Sequence, residues 1–299
     1  MGFKPVKVGI CGLGTVGSGT FNVLQRNQEE ISRRAGRVIR VEQIGARRPN
    51  PLANTEGTQT VADVFEVARN PEIDIIVELI GGCDVARELV LEAIANGKHV
   101  VTANKALIAV HGNEIFEAAQ RKNVMVAFEA SVAGGIPIVK AIREGLSANS
   151  INWVAGIING TGNFILTEMR DKGRPFADVL AEAQQLGYAE ADPTFDVEGI
   201  DAAHKLTILA SLAFGVPLQF NKAYTEGISK ITADDVNYAE ELGYRIKHLG
   251  ITRRTDSGIE LRVHPTLIPA KRLIANVDGV MNAVLVDAEP LAKPWLRLA

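Results

Sequence analysis

The chain has 299 residues, of which 46% are hydrophobic and 22% charged, and its formal net charge is -3. This length is sufficient for two domains with separate hydrophobic cores, and the composition is that of an ordinary globular protein. The small negative charge gives no reason to expect nucleic acid or a membrane surface as a partner, and the apolar runs are too short to span a bilayer.

The cysteine content and the N-terminal sequence indicate the cellular compartment of the protein. The two cysteines, Cys11 and Cys83, lack the spacing of a metal site. So few cysteines are typical of a reducing compartment. The first residues run almost at once into a strand, which argues against a signal peptide. We therefore expect a cytoplasmic protein.

The first motif with chemical meaning is a glycine-rich turn. The apolar run from Val6 to Ile10 predicts a buried strand, and a helix follows the turn, with Val16, Val23 and Leu24 on its apolar side. Between strand and helix lies a complete G-x-G-x-x-G pattern. Its glycines permit a tight turn and the close approach of a pyrophosphate. The predicted dinucleotide-binding residues are Gly12, Leu13, Gly14, Thr15, Val16 and Gly17.

The end of the second predicted strand bears on the choice of cofactor. This strand runs from Val38 to Ala46, where an NAD-selective site usually carries an acidic residue for the ribose hydroxyl. Here the chain continues with Arg47 and Arg48, and a guanidinium group suits the 2′-phosphate of NADP. An exposed basic turn would have the same residues. We expect NADP, with NAD as the alternative, and Arg47 is the candidate ligand.

Two further strands place a lysine at the predicted ligand edge of the sheet. Ile73 to Ile80 predicts a buried strand, and His99 to Val101 predicts the next one. Thr102 and Lys105 follow directly. Because ligands of open α/β sheets bind at the carboxyl ends of the strands, we expect Lys105 near the nicotinamide and the substrate. A loop lysine without a function is the alternative.

Helices 84–96 and 113–121 and a strand from Val124 to Phe128 complete the first half. Residues 1–130 are therefore predicted to form an NAD(P)-binding domain with a Rossmann-type, doubly wound parallel sheet. The segment from Glu129 to Pro137 is small and glycine-rich, which indicates a hinge. Its carboxylate and turn carbonyls could hold a hard cation, although a plain linker is the simpler interpretation.

Residues 131–299 are predicted to form a second, α+β domain for catalysis and dimerisation. The expected strands and helices are Ser150–Ile158, 259–264 and 283–287, and Phe164–Arg170, a helix from Pro175, Ile200–Phe214 and 234–248.

An acidic loop that leads into a helix carries the most chemical information. Five carboxylates lie between Gly187 and Lys205, and Asp201 is four residues before Lys205 on a predicted helix, so the two face the same side. The rest of that helix is almost entirely apolar, which indicates burial. A buried lysine held by a carboxylate is a candidate proton carrier. A surface ion pair is the alternative.

These motifs together resemble homoserine dehydrogenase. The matching blocks, in chain order, are Gly12 to Gly17, Val77 to Gly82, Thr102 to Lys105, Phe128 to Pro137, Asn159 to Asn163 and Gly187 to Lys205. The resemblance implies reversible, NAD(P)-dependent reduction of L-aspartate 4-semialdehyde to L-homoserine, in the route to threonine and methionine. It also implies a homodimer or homotetramer.

The resemblance further implies roles for individual residues. Lys205 corresponds to the acid/base at the substrate oxygen, Lys105 to its partner, and Asp201 to the group that orients Lys205. Substrate-binding positions are Glu190, Asp196, Gly160 and Thr161. Cofactor-binding positions beyond the glycine turn are Arg47, Thr102, Lys105 and Gly160. A sodium site would consist of Glu129 with the backbones of Val132, Gly134 and Ile136.

The sequence departs from the family after Glu289, where members continue into a glycine-rich loop, a return helix and often a regulatory ACT domain. We therefore expect a short form. One alternative is an NADP-binding protein of the same fold with little or no catalytic activity. Another is a semialdehyde dehydrogenase with a cysteine nucleophile, which would need a reactive thiol.

Overall fold

The computed structural model describes residues 4–289. The chain divides into two compact units, Met1–Ser131 and Val132–Ala299. The departure from the family that was predicted after Glu289 falls on residues 290–299, which lie outside the described residues. Within the described part of the chain, no helix is both long enough and apolar enough to cross a membrane.

The first unit is built on a six-stranded parallel sheet. Its strands are β1 (Val6–Cys11), β2 (Ile39–Gly45), β3 (Gln59–Val61), β4 (Ile75–Glu78), β5 (His99–Thr102) and β6 (Val126–Ala127). Their order across the sheet is β3-β2-β1-β4-β5-β6, and every pairing is parallel. The helices are α1 (Thr15–Arg26), α2 (Gln28–Ala35), α3 (Val64–Arg69), α4 (Asp84–Ala95) and α5 (Lys105–Lys122). This arrangement confirms the predicted Rossmann-type sheet.

The low exposure of consecutive side chains shows that this sheet is covered on both faces. Ile76 and Val77 of β4 are 0% and 8% exposed, and neighbouring residues of a strand point to opposite faces. The continuous apolar run at this position is therefore buried from both sides, as in other doubly wound sheets.

The apolar side predicted for helix α1 is correct only at Leu24, which packs against the core of the first unit. Val16 and Val23 are 57% and 41% exposed, whereas Gly17 and Phe21 are buried. Gly17 must face inward because a side chain there would overlap the carbonyl of Gly12. Phe21 is one turn later on the same face. The packing of the glycine turn therefore fixes the rotation of the helix.

Helix α5 begins eight residues before its predicted start, at Lys105 rather than residue 113. Asn104 caps it, because its side-chain oxygen accepts a hydrogen bond from the backbone N–H of Leu107. The buried Gly112 lies within the helix instead of preceding it. The prediction missed this because glycine lowers helix propensity and was taken as a residue outside the helix.

The second unit contains a mixed five-stranded sheet. Its strands are β7 (Ile151–Ile157), β8 (Tyr224–Thr225), β9 (Tyr244–Thr255), β10 (Gly258–Pro269) and β11 (Ala283–Ala288). The order is β11-β7-β9-β10-β8, antiparallel except for β10 with β8. The helices are α6 (Ile138–Lys140, extended by a π-helical turn at Ala141–Gly145), α7 (Gly160–Lys172), α8 (Phe176–Gln185), α9 (Thr194–Val197), α10 (Ile200–Phe214) and α11 (Ala233–Glu241). Helices α7, α10 and α11 pack against β9, which confirms the α+β class.

The prediction of a helix over 234–248 was wrong in its second half. Helix α11 ends at Glu241, and Gly243 has a φ of +78°, the left-handed conformation that ends helices. Residues from Tyr244 onward belong instead to β9, the central strand of the sheet. Pairing with strands on both sides decided the structure of this segment, and no local pattern reports such pairing.

Candidate active site

The glycine turn of the first unit has the geometry of a phosphate-binding loop. Gly12 has a φ of +100°, and a Cβ atom there would lie 2.6 Å from the carbonyl oxygen of Leu79. A side chain at Gly14, the residue that precedes α1, would meet nothing within 4 Å. The open N-terminus of α1 therefore offers backbone N–H groups and a positive dipole end to an anion. Thr15 and Val16 are exposed on its first turn, while Leu13 packs into the core.

Arg47 and Arg48 line the same cavity as the glycine turn. The cavity has a volume of about 550 Å³, and its walls include Gly12, Gly14 and both arginines. Both arginine residues are exposed. Asn50 closes this region, since its side-chain amide donates to the carbonyl oxygen of Leu13 at 2.9 Å. The guanidinium groups therefore belong to the pocket of the phosphate loop.

Thr102 is held by a buried carboxylate, and Lys105 follows it at the start of α5. Thr102 is 1% exposed, and its hydroxyl donates to Glu78 at 2.6 Å and accepts from the backbone N–H of Asn104 at 2.9 Å. The other oxygen of Glu78 accepts from the backbone N–H of Ile80 at 2.9 Å. Lys105 is then the first residue of α5, where the helix dipole disfavours an ammonium group.

In the second unit, Asp201 and Lys205 form a buried ion pair on α10. The Lys205 ammonium lies 2.6 Å from an Asp201 carboxylate oxygen and 2.7 Å from the carbonyl oxygen of Ile158. The side chains of Lys205 and Asp201 are 16% and 6% exposed. In the described part of the chain these two acceptors take two of the three ammonium protons. The third proton can face a ligand.

Asn159 links this pair to the acidic loop. Its side-chain NH₂ donates to Asp201 at 2.9 Å and to Asp196 at 2.8 Å. Its side-chain oxygen accepts from the backbone N–H of Gly162 at 2.7 Å and so caps α7. Because the cap requires the oxygen on that side, the NH₂ group must face the two carboxylates. One buried amide thus fixes both carboxylates and the start of α7.

Gly160 and Thr161 begin α7 directly after Asn159. A Cβ atom at Gly160 would lie 2.8 Å from the carbonyl oxygen of Val280, so the backbone there approaches too closely for a side chain. The Thr161 hydroxyl donates to the carbonyl oxygen of Tyr188 at 2.6 Å. Its role in this structure is therefore to hold the acidic loop.

Glu190 stands apart from the carboxylates that Asn159 joins. It is exposed. Its backbone is held by Gln184, whose side-chain amide donates to the carbonyl oxygen of Glu190 at 3.1 Å and to that of Ala191 at 3.2 Å. Its exposed position makes it accessible to a ligand at the mouth of the acidic loop.

The residues of the predicted cation site occupy a short helix and a turn. Glu129 begins a 3-10 helix at the end of the first unit. In the second unit, Val132 is buried, and Ala133 has a φ of +45° and accepts from the backbone N–H of Ile136 at 2.9 Å. Gly134 is exposed within that turn. Among residues 4–289, no group of three or more His, Cys, Asp or Glu side chains could hold a metal ion.

Neither cysteine has the properties of a nucleophile. Cys11 is fully buried, and burial together with the nearby Glu78 carboxylate raises its pKa to about 12. Burial and the Asp84 carboxylate raise the pKa of Cys83 as well. Because the thiolate is the reactive form, a raised pKa makes both thiols less reactive than an ordinary cysteine. This argues against the semialdehyde dehydrogenase alternative.

Comparison with known proteins identifies the family of both halves of the chain. Residues 137–297 match the family model described as homoserine dehydrogenase, and residues 12–129 match the one described as its NAD binding domain. The chain belongs to the homoserine dehydrogenase family. The resemblance found in the sequence motifs is thus confirmed.

Among curated relatives, the homoserine dehydrogenase of Pseudomonas aeruginosa is 78% identical over 286 residues, which cover 96% of this chain and 66% of that protein. The homoserine dehydrogenase of Neisseria gonorrhoeae is 62% identical over 292 residues, with the same two shares. The chain therefore spans about two thirds of the length of these curated relatives.

Solved homoserine dehydrogenase structures have the same fold. The enzyme of Thiobacillus denitrificans matches with a TM-score of 0.93 at 69% identity, over 96% of this chain and 67% of that one. A hyperthermophilic archaeal homoserine dehydrogenase in complex with NADPH matches with a TM-score of 0.80 at 26% identity, over 96% of this chain and 89% of that one.

Two residues that hold candidate site residues in place, one in each unit, were not singled out by sequence reasoning. Asn159 appeared only as a member of a motif, and Glu78 only as a polar interruption in an apolar strand. A signal existed for Asn159, because asparagine is a preferred cap at the start of a helix. For Glu78 the signal was weaker: a carboxylate in a strand buried on both faces must have partners.

Proposed function

We propose that the chain catalyses the reversible NAD(P)-dependent reduction of L-aspartate 4-semialdehyde to L-homoserine. The observation that carries the proposal is the buried Asp201–Lys205 pair, whose ammonium keeps one proton for a ligand. A bound nicotinamide supplies the hydride. Lys205 gives a proton to the carbonyl oxygen as it becomes the alcohol oxygen and takes it back in the reverse direction. Asp201 holds the ammonium in place.

The remaining site residues are assigned by charge and position. Glu190 and Asp196 bind the substrate ammonium, since carboxylates in a partly closed loop are its natural partners. Gly160 and Thr161 form the adjacent wall at the start of α7. Lys105 is the second lysine of the reaction. Its place at the first residue of α5, directly after β5, puts it at the edge of the sheet where ligands of open α/β folds bind.

Direct assay of the purified chain tests this function. L-homoserine is supplied with NADP or NAD, and the formation of reduced cofactor is followed by absorbance. Turnover that requires homoserine supports the proposal. Binding of NADPH without turnover would instead favour the inactive NADP-binding alternative, against which the intact Asp201–Lys205 pair argues. The cytoplasmic location expected from the sequence remains part of the proposal.

We further propose NADP as the preferred cofactor. The residues of the glycine turn fit a dinucleotide, because Gly14 leaves the space that a pyrophosphate needs. Arg47 and Arg48 line the same cavity, where they can take a 2′-phosphate. The NADPH bound by the archaeal relative agrees with this choice.

Reversing the charge of Arg47 tests this preference. Arg47→Glu is expected to lower NADP affinity at least about tenfold, since a hydrogen bond to a charged group contributes about 1.5–3 kcal/mol. NAD affinity should change little, because NAD has no 2′-phosphate. Fluorescence titration with NADPH and NADH measures both. Arg34→Glu is the control, since the Arg34 side chain is 80% exposed on α2. Equal losses for the two cofactors would contradict the assignment.

A sodium ion held by Glu129 and the carbonyls of Val132, Gly134 and Ile136 is also part of the proposal. The strained backbone of Ala133, with its φ of +45°, supports a specific role for this turn. A single carboxylate with carbonyl oxygens suits a hard cation of low charge.

We propose a homo-oligomer, dimer or tetramer, formed through the sheet of the second unit. Ala155, Ile251 and Leu285 are aligned across β7, β9 and β11 and so share one face, on which all three are partly exposed. Val154 and Thr252, on the opposite face, are both 0% exposed. The face of Val154 is thus covered by the chain itself. The other face is covered only in part, where Ile157 and Leu249 pack against Ile274 and Ala275, and its remaining apolar side chains are the ones that a second copy would bury.

Light scattering tests the oligomer. The parent chain is expected at two or four times its own mass of 32.1 kDa. Ile251→Glu places a charge in the proposed interface and should shift the mass towards a single chain. Leu242→Glu is the control, because Leu242 is 71% exposed on another surface of the same unit. A monomeric parent chain would rule the interface out.

A further inference from the structure

A loop just before β11, residues 277–281, is tied to the rest of the second unit by a buried lysine. Lys247 on β9 donates to the carbonyl oxygen of Val277 at 2.6 Å, to Asp278 at 2.9 Å and to the side-chain oxygen of Asn163 at 3.1 Å. The Lys247 side chain is 1% exposed. All three ammonium protons are therefore used to hold this segment, which we call the 277–281 loop.

Helix α7 holds the same loop through one of its faces. Asn163, Thr167 and Arg170 follow each other at steps of four and three residues, so they share that face. The Asn163 amide donates to the carbonyl oxygens of Val277 and Met281 at 2.9 and 3.2 Å. Thr167 accepts from the backbone N–H of residue 279 at 3.1 Å, and Arg170 donates to Asp278 at 2.9 Å. Four separate points of the loop are thus attached.

The Asp278 carboxylate of this cluster is ionised at neutral pH. Burial raises the pKa of Asp278, but hydrogen bonds from Arg170 and Lys247 lower it more, to a net value of about 2. Burial lowers the pKa of Lys247, and the hydrogen bond to Asp278 opposes this shift. A buried charge cluster is weak evidence for stability, because apolar residues of similar size often stabilise as well. Its better-supported use is to fix one arrangement of the chain.

The loop packs on the first residue of α7. The carbonyl oxygen of Val280 leaves no room for a side chain at Gly160, because a Cβ atom at Gly160 would lie 2.8 Å from that oxygen. Gly160 follows Asn159, whose amide holds Asp196 and Asp201. The loop therefore borders the group of residues proposed to bind substrate. Val280 and Met281 are 42% and 62% exposed at this point.

We propose that the 277–281 loop forms one wall of the substrate site beside Gly160, and that Lys247 is the positioning residue that sets this wall. The inference rests on the proposed function for the identity of the substrate. The carboxylates of the acidic loop take the substrate ammonium. Val280 and Met281 offer an apolar surface that fits the methylene carbons of a short, linear amino acid.

Lys247→Met tests the positioning role, because methionine matches the lysine stem in size and lacks the charge. The KM for homoserine is expected to rise about tenfold, with kcat also lowered, since small displacements of a bound substrate have large effects on rate. NADPH affinity should change much less than the KM for homoserine, because the glycine turn and Arg47 lie in the first unit and Gly160 is the one expected cofactor contact beside the loop. A variant that only loses folded protein lowers the maximal rate and leaves KM as it was.

Lys98→Met is the matched control. Lys98 is also a buried lysine, 3% exposed, whose ammonium donates to the carbonyl oxygens of Asn70 and Ile73 at 2.6 and 2.8 Å. It precedes β5, at the end of the strand opposite to Lys105. Its replacement should lower thermal stability without changing the KM for homoserine. An unchanged KM in folded Lys247→Met would overturn the proposal.

Thr167→Val provides a second, nearly isosteric variant if Lys247→Met does not fold. It removes the acceptor of the residue 279 N–H and should raise the KM for homoserine in the same direction, by a smaller factor. Hydrogen exchange then separates this inference from the proposed function, because it needs no turnover. Faster exchange at Gly160, Thr161 and Gly162 in either variant supports the positioning role even if the chain proves inactive with homoserine. Faster exchange confined to the loop itself would refute it.

Discussion

Replacing Lys205 by alanine is expected to lower kcat for homoserine oxidation by about 10²–10⁴-fold, the usual effect of removing a positioned proton carrier. The Lys205 ammonium is held by Asp201 and by the carbonyl oxygen of Ile158, so the proton that remains has a defined direction. Alanine removes this proton donor, while the hydrogen bond from Asn159 to the Asp201 carboxylate is kept. Steady-state kinetics with saturating NADP measures the loss.

NADPH binding distinguishes loss of chemistry from loss of fold in this variant. The glycine turn and Arg47 belong to the first unit, whereas Lys205 belongs to the second. Fluorescence titration with NADPH should therefore give the same dissociation constant for Lys205→Ala and for the parent chain. Lys230→Ala is the control, since Lys230 is an exposed lysine of the same unit. Near-normal turnover of Lys205→Ala would remove this residue from the reaction.

Contacts between residues close in sequence were predictable. A spacing of four residues on an apolar helix placed Asp201 and Lys205 on one side, and the structure brings their charged groups within 2.6 Å. The glycine turn was also predictable from the sequence, because each of its three glycines is needed for a local reason. These reasons are the tight turn, access for a phosphate and close packing of the helix. In both cases the determining interactions lie within a few residues.

Contacts between distant segments were not predictable in the same way. Asn159 donates to Asp201 across 42 positions of the chain, and Lys247 to Asp278 across 31. The close approach of Val280 to Gly160 depends on the same kind of long-range packing. A single sequence gives each of these residues a type but no partner. Their roles become visible only when the sheet of the second unit brings the segments together.

Boundaries of elements were wrong where tertiary contacts decide them. Lys105 was placed in a loop, yet it begins an 18-residue helix because Asn104 caps it and also donates to the carbonyl oxygen of Gly82 at 2.6 Å. Tyr244 was placed in a helix, yet it begins the central strand of the second sheet. Gly243 was the available stop signal in that case, since its φ of +78° is typical of a residue after a helix.

Asn159→Asp is expected to lower kcat/KM for homoserine by about 10²-fold or more, because the change puts a third carboxylate against Asp196 and Asp201. Aspartate caps a helix as well as asparagine does, so the hydrogen bond from the Gly162 N–H is kept. The substitution therefore isolates the NH₂ side of the residue. It replaces a donor that lies 2.8 and 2.9 Å from the two carboxylates with an acceptor that repels both.

A matched control exists for Asn159→Asp on the surface of the same unit. Asn152 also donates through its side-chain amide to an aspartate, Asp287, at 3.0 Å, but it is exposed. Asn152→Asp creates the same contact between like charges in water. Solvent screening there reduces the repulsion between the two carboxylates to at most about 1 kcal/mol. Its kinetics should equal those of the parent chain. If the two variants lost activity equally, general destabilisation and not the buried carboxylates would explain the effect.

The pH dependence gives Asn159→Asp a signature that misfolding would not produce. Three carboxylates in one partly buried group favour the uptake of a proton, since like charges stabilise the protonated form. The deficit relative to the parent chain, measured at each pH, should therefore shrink as the pH falls and one of the three carboxylates becomes neutral. If the ratio of kcat/KM between Asn159→Asp and the parent chain stays constant from neutral to acidic pH, Asn159 does not separate the charges of Asp196 and Asp201.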